Sequence, residues 1–257
     1  MEKKNRICAY KGNPVVPGVN KKKSGINFAV EVPGDTEASL VLYRKGAAEP
    51  ETEFPFTEEY RTGRMCAMLV TGLRPERYEY NFRIDGKIVQ DPFACVIRGR
   101  EKFGAPLSKD EHEVRCAFLS EKEYDWEGDT APEIPYSEMI LYKIHVRGYT
   151  RQAKLALRKR GTFAGLTEMI PYWKELGINA VELMPAYEFQ ECVQADHAVN
   201  LAVRKKSDDR INYWGYTRGF YFAPKESYCA TKEPDIGSCR AGYTCWRCWS
   251  NLLLPLP

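Results

Sequence analysis

Met139-Ile140-Leu141-Tyr142-Lys143-Ile144-His145-Val146 is apolar at nearly every position, the pattern of a strand buried on both faces. Phe163, Leu166, Ile170, Trp173 and Leu176 follow at steps of three or four and trace one helical stripe. Pro171 falls inside that stripe and is expected to kink the helix, and Gly177 to end it. Ile178-Asn179-Ala180-Val181-Glu182-Leu183-Met184 reads as the next strand. Strand, helix and strand with short joins make a βαβ unit, so this sheet is expected to be parallel. An excursion from Pro185 to about Asn212 shows no clear period, and Gly219-Phe220-Tyr221-Phe222-Ala223-Pro224 is then a candidate third strand.

Upstream the rhythm is different. Ile26–Val32, Ala38–Tyr43, Met65–Val70 and Tyr78–Ile84 are short strand-like runs separated by turn residues such as Pro33-Gly34-Asp35. Asp85-Gly86 suits a hairpin turn that needs positive φ. Together they predict a β-sandwich over residues 1–120. Residues 121–136, with Trp126-Glu127-Gly128-Asp129 and then Pro132 and Pro135, read as a linker. From 137 to 234 the βα pattern holds; from 235 to 257 it fails, ending in an apolar Leu252-Leu253-Leu254-Pro255-Leu256-Pro257 without an evident partner.

Composition bounds the function. With 257 residues, 44% hydrophobic and 28% charged, the chain can bury a real core. A net charge of +3, from 38 basic and 35 acidic residues, predicts no strong attraction to nucleic acid or to an anionic membrane. Lys21-Lys22-Lys23 is read as a solvated loop. The charged N-terminus leads into no apolar segment and no stretch has membrane-spanning length, so a cytoplasmic location is expected. Nine cysteines, an odd number, are expected to be reduced thiols. Cys245 and Cys248 have metal-ligand spacing but lack the further ligands a closed zinc site needs, and Asp125, Glu127 and Asp129 read as solvated charge rather than a calcium loop. No metal and no cofactor are implied.

Several segments, taken in order, resemble a known family. Ile144-His145-Val146-Arg147-Gly148-Tyr149-Thr150 and Gly161-Thr162-Phe163-Ala164-Gly165-Leu166 resemble the first barrel strand and helix of the α-amylase superfamily, glycoside hydrolase family 13. Leu176–Pro185 is similar to its second strand, and Tyr213-Trp214-Gly215-Tyr216 with Phe222-Ala223-Pro224 to the approach to its third. Gly25–Val30, Tyr80–Gly86 and Asp91-Pro92-Phe93-Ala94 resemble the β-sandwich module that precedes the barrel in isoamylase, type I pullulanase and glycogen debranching enzymes. The resemblance implies a multidomain chain: a carbohydrate-binding-module-like β-sandwich, then the first part of a (β/α)8 barrel, truncated after strand 3.

It also implies a glycoside hydrolase acting on α-1,6 branches of glycogen or starch. Retaining glycosidases need two carboxyl groups about 5–5.5 Å apart. In this family those lie on later strands, the Asp-x-x-x-x-His signature expected after the third helix is missing, and no Asp or Glu follows Asp235. No catalytic residue is assigned, and the chain is expected to be inactive alone. A barrel takes about 250 residues and the part after Ser137 is roughly half that, so a frameshift or premature stop is expected. Tyr216 matches the aromatic that stacks on the sugar, its ring offering an apolar face. Trp214 is the second substrate-side residue, read chiefly as support for that loop. Thr217-Arg218-Gly219-Phe220 departs from the Asn-Pro usual there in debranching enzymes. His145 is expected to be a satisfied core or cleft-floor histidine, and Glu182 not to be catalytic. The partner is an α-glucan. A non-catalytic glucan binder, or a fragment of a glycogen branching transferase, is the alternative; Tyr43, Tyr78, Tyr80 and Phe82 of the sandwich should mostly be core.

Overall fold

The computed structural model describes residues 6–106, 108–119, 133–192 and 211–230, and the backbone of Leu254 and Pro255. Most of the predicted linker, with Asp125, Trp126, Glu127 and Asp129, lies outside these residues. So do the tail cysteines Cys245 and Cys248.

The chain divides into two compact units, the first made of 1–99, 108–119 and 220–223. It contains β1 Cys8–Lys11, β2 Gly18–Lys22, β3 Gly25–Glu31, β4 Ala38–Arg44, β5 Thr52–Pro55, β6 Arg61–Thr62, β7 Met65–Thr71, β8 Tyr78–Ile84, β9 Lys87–Val89, β10 Ile97–Arg98 and β11 Arg115–Ala117. These form two antiparallel sheets. One runs β1-β7-β3-β2 with β6 beside β7, and the other β10-β11-β8-β4-β5 with β9 beside β8. Alternate residues meet in one core: Ile26, Phe28 and Val30, then Cys66, Met68 and Val70, from one sheet, against Leu40 and Leu42, then Tyr78, Tyr80 and Phe82, from the other. That period of two is what a sandwich requires. Phe28 and Tyr80 meet edge to face at 5.3 Å, so truncating Phe28 to Ala should cost about 3–5 kcal/mol. Asp85 (φ 52°) and Gly86 (φ 72°) close the β8–β9 hairpin in the left-handed region, as their side chains permit.

The second unit holds β12 Leu141–Ile144, α1 Val146–Thr150, α2 Phe163–Thr167, α3 Ile170–Glu175, β13 Ala180–Leu183 and β14 Tyr187–Phe189. β15, Gly219–Pro224, has its middle residues 220–223 in the first unit, and β16 is Leu254–Pro255. β12 and β13 pair in parallel, from Leu141 against Ala180 to Ile144 against Leu183, the register a βα repeat demands.

Four expectations change. First, the strand expected over Met139–Val146 shortens to Leu141–Ile144 and is not buried on both faces: Ile140 is 53% exposed and Leu141 45%. β12 sits at the rim of the β12-β13-β16 sheet, and His145 leaves the strand to cap α1, its Nδ1 accepting from Gly148 N at 2.9 Å. Second, the single kinked helix is two. Pro171 lacks an N–H and its ring would strike the carbonyl of Thr167, so it opens α3 in the first turn instead of bending one helix. Phe163, Leu166 and Trp173 are buried, whereas Leu176 is exposed. Third, β15 forms a strand but does not join the β12–β13 sheet; Ala223 is buried in the sandwich core and Phe220 packs against it. Fourth, Leu254–Pro255 is not partnerless. It pairs antiparallel with β13, Leu254 opposite Val181 and Pro255 opposite Ala180. The sheet is therefore mixed. Gly177, at φ 78°, ends α3 as the sequence requires. No helix among the described residues is long and apolar enough to cross a membrane.

Candidate functional site

Among the described residues of the second unit, two groups of side chains carry chemistry: an exposed aromatic loop and a buried ion cluster.

The loop is Tyr213-Trp214-Gly215-Tyr216. Gly215 lies at φ 81°, and a Cβ there would press into the Phe189 ring, with 2.7 Å to Phe189 Cδ1. Only glycine allows both the turn and the approach. Asn212 Oδ1 accepts from Gly215 N at 3.1 Å, and Tyr187 OH donates to Gly215 O at 2.9 Å, so the turn is fixed from both ends. It leaves Tyr216 63% exposed and Trp214 56% exposed. The Trp214 indole stands edge-on to His145 and to Tyr213, each at 5.8 Å. Lys143 Nζ is 5.8 Å from the Tyr216 ring centre and pairs with Glu182 Oε1 at 2.7 Å. Glu182 is thus half of a partly exposed ion pair on β13.

His145 is the post under this loop. It is buried and stacks on Tyr213 at 4.6 Å. Since Nδ1 accepts from Gly148 N, the proton sits on Nε2, which is 2.9 Å from Tyr213 O and donates to it. Tyr228 OH is 3.2 Å from the same nitrogen. Burial lowers the His145 pKa below its ordinary value, against the Tyr213 carbonyl, which favours the charged form; Arg147 adds to the lowering. The ring is a neutral, satisfied histidine, as the sequence suggested.

The second group was not found by sequence reasoning. Lys225 is completely buried, its Nζ 3.0 Å from Glu188 Oε1, 2.9 Å from Glu191 Oε1 and 2.8 Å from Phe189 O. Arg100 closes the other side, 3.4 Å from Glu188 Oε1 and 3.0 Å from Glu191 Oε2, and also donates to Phe189 O at 3.1 Å. Glu226 accepts from Arg100 N at 2.7 Å, and its own N–H donates to Glu188 Oε2 at 2.7 Å. Burial pushes the Glu188 carboxyl above its usual range, against the pull of Lys225 and Arg100. Both carboxylates are engaged by cations and N–H donors, so the cluster is built to hold a segment rather than to exchange protons with a ligand. The available sequence signal was slight: a single acid between Tyr187 and Phe189 in an otherwise apolar strand, β14.

The sandwich residues named above are structural. Tyr43, Tyr78, Tyr80 and Phe82 are buried in the sandwich and offer no platform. Asp91, also buried there, accepts from Tyr80 OH at 2.9 Å and Phe93 N at 2.8 Å. Cys8, Cys66, Cys95, Cys116 and Cys192 are free thiols, and among the described residues no group of three His, Cys, Asp or Glu is placed to hold a metal ion.

No family model matches the chain. It is 30% identical over 256 residues to isoamylase 1, chloroplastic, of Arabidopsis thaliana, covering 91% of this chain and 32% of that protein. It is 30% identical over 249 residues to the glycogen operon protein GlgX homolog of Haemophilus influenzae, covering 87% of this chain and 35% of the relative. The fold is similar to the crystal structure of apo pullulanase from Paenibacillus barengoltzii, with a TM-score of 0.60, 22% identity, and coverage of 86% of this chain and 34% of that one. The same pullulanase in complex with maltohexaose and alpha-cyclodextrin gives 0.60 at 21% identity, with the same two coverages. The chain thus spans about a third of the length of the relatives it matches. These likenesses, with the ordered motifs of both units, make the chain similar over most of its length to part of the isoamylases and glycogen-debranching proteins it matches, and its fold similar to part of a pullulanase.

Proposed function

We propose that this chain is a portion of an α-glucan-debranching glycoside hydrolase that contributes a carbohydrate-module-like sandwich (1–120), a linker (121–136) and the first strands of a (β/α)8 barrel (137–234), and does not cleave glucan by itself. The exposed Trp214–Tyr216 loop is the observation that carries the glucan part of this reading. Two half-exposed rings on a turn pinned by His145, Asn212 and Tyr187 present apolar faces to the C–H faces of sugar rings. The pullulanase of similar fold was crystallised with maltohexaose, which supports a glucan as the ligand.

The expectation of no hydrolysis rests on a chemical argument. Acetal cleavage needs one carboxylic acid and one free carboxylate facing a sugar-sized space. Here Glu188 and Glu191 are locked onto Lys225 and Arg100, and Glu182 onto Lys143. The test is reducing-sugar release from pullulan and glycogen: none is expected, and turnover by the purified chain would overturn the reading.

A further inference from the structure

Lys225 is the most deeply buried cation among the described residues, and nothing in the glucan reading uses it. Its ammonium has three N–H donors, and it meets three oxygens: Glu188 Oε1 at 3.0 Å, Glu191 Oε1 at 2.9 Å and Phe189 O at 2.8 Å. All three acceptors come from four consecutive residues. The Phe189 ring lies 4.0 Å from the same nitrogen and supplies an aromatic floor, with Phe103 and Tyr228 near 6 Å, at 5.8 and 5.9 Å. The spacing is that of N–H···O bonds and is longer than the roughly 2.3–2.6 Å of calcium–oxygen contacts. Three donors, three acceptors and a ring face describe recognition of a primary ammonium ion.

The acceptors do not depend on Lys225 for their placement. Arg100 holds Glu191 Oε2, Glu188 Oε1 and Phe189 O from outside, and Glu226 N holds Glu188 Oε2. The backbone of residue 225 is fixed separately, its N–H donating to Ala186 O at 2.8 Å. Shortening the side chain would therefore empty the cradle without dismantling it.

We infer that Glu188, Phe189 and Glu191 form a preformed binding site for a primary alkylammonium ion, which Lys225 fills from within the chain and which orders the segment from Ala186 to Cys192. The site stands on geometry alone and holds whether or not the chain binds glucan. An external cation of the right class should replace the tethered one. In Lys225→Ala, n-propylammonium supplies the missing Cγ, Cδ, Cε and Nζ.

The full chain carrying Lys225→Ala should unfold at a lower temperature than the unsubstituted chain. Millimolar n-propylammonium should then raise its Tm saturably, by on the order of 3 °C or more, and leave the unsubstituted chain unmoved. Tetramethylammonium, which has no N–H to donate, should do nothing at equal ionic strength. Adding Glu191→Gln should weaken the response at least several-fold. Equal effects of the two ions, a matching shift of the unsubstituted chain, or rescue by calcium in place of the amine would each overturn the assignment. If Lys225→Ala does not fold unaided, refolding yields with the two ions decide: a higher yield with n-propylammonium supports the site, and equal yields remove it.

Discussion

Replacing Gly215 by alanine tests how the aromatic loop is held. The residue sits at φ 81°, where an L side chain costs about 1–2 kcal/mol. The new Cβ would also collide with the Phe189 ring, with 2.7 Å to Phe189 Cδ1 and to Cζ. Phe189 is fully buried and cannot swing aside freely, so overpacking adds about 1–3 kcal/mol. The sum is roughly 2–5 kcal/mol, or on the order of 5–15 °C in Tm. Gly177→Ala is the matched control: φ is 78° there, but nothing lies within 4 Å of its Cβ, so it should show the strain alone. Thermal unfolding followed by circular dichroism and by tryptophan fluorescence reads both. If Gly215→Ala costs no more than Gly177→Ala, the Phe189 contact does not set the turn and the account of the loop is wrong.

Arg100→Met leaves Glu188 and Glu191 with Lys225 as their sole cation among the described residues, and should cost about 3–5 kcal/mol in urea denaturation. Trp214→Ala and Tyr216→Ala, at exposed positions, should each change stability by less than about 1 kcal/mol while abolishing retardation in amylopectin affinity gels; unchanged migration would detach these rings from glucan. His145 has its pKa lowered by burial, so the unfolded chain binds the proton more readily than the folded one. Its contribution is complete above the ordinary value of 6.5 and is lost as pH falls through it. Between pH 7.5 and 5.5 the chain should lose stability, and His145→Asn should flatten that slope; an identical slope in the variant would remove His145 as its source.

What could be read in the sequence was local. Alternation in Ile26–Val32 and Tyr78–Ile84, and the Asp85-Gly86 turn, gave the sandwich strands because each signal is complete within a few residues. The parallel pairing of β12 with β13 followed from the apolar segments and Gly177. Pro171 marks a break in the helical stripe but does not say which side of it keeps the helix. The partner of β13 could not be foreseen, since period says nothing about which strand sits alongside. The ion cluster was hidden by distance in the chain. Lys225 is 37 positions from Glu188 and Arg100 is 91 from Glu191, and none of the four is unusual among its sequence neighbours. Tyr216 and Trp214 stand out in the sequence through resemblance alone; their exposure is a property of the turn that Gly215 and Phe189 make.

The reversed two-residue strand beside β13 also bears on self-association. Its seat is the flank along which another copy, or a misfolded neighbour, would add by main-chain pairing. Pro255 has no amide hydrogen to offer an incomer, and a two-residue template is too short to nucleate a ladder. On that side the array is stoppered by its own chain, much as a cork with a proline tip would seal it.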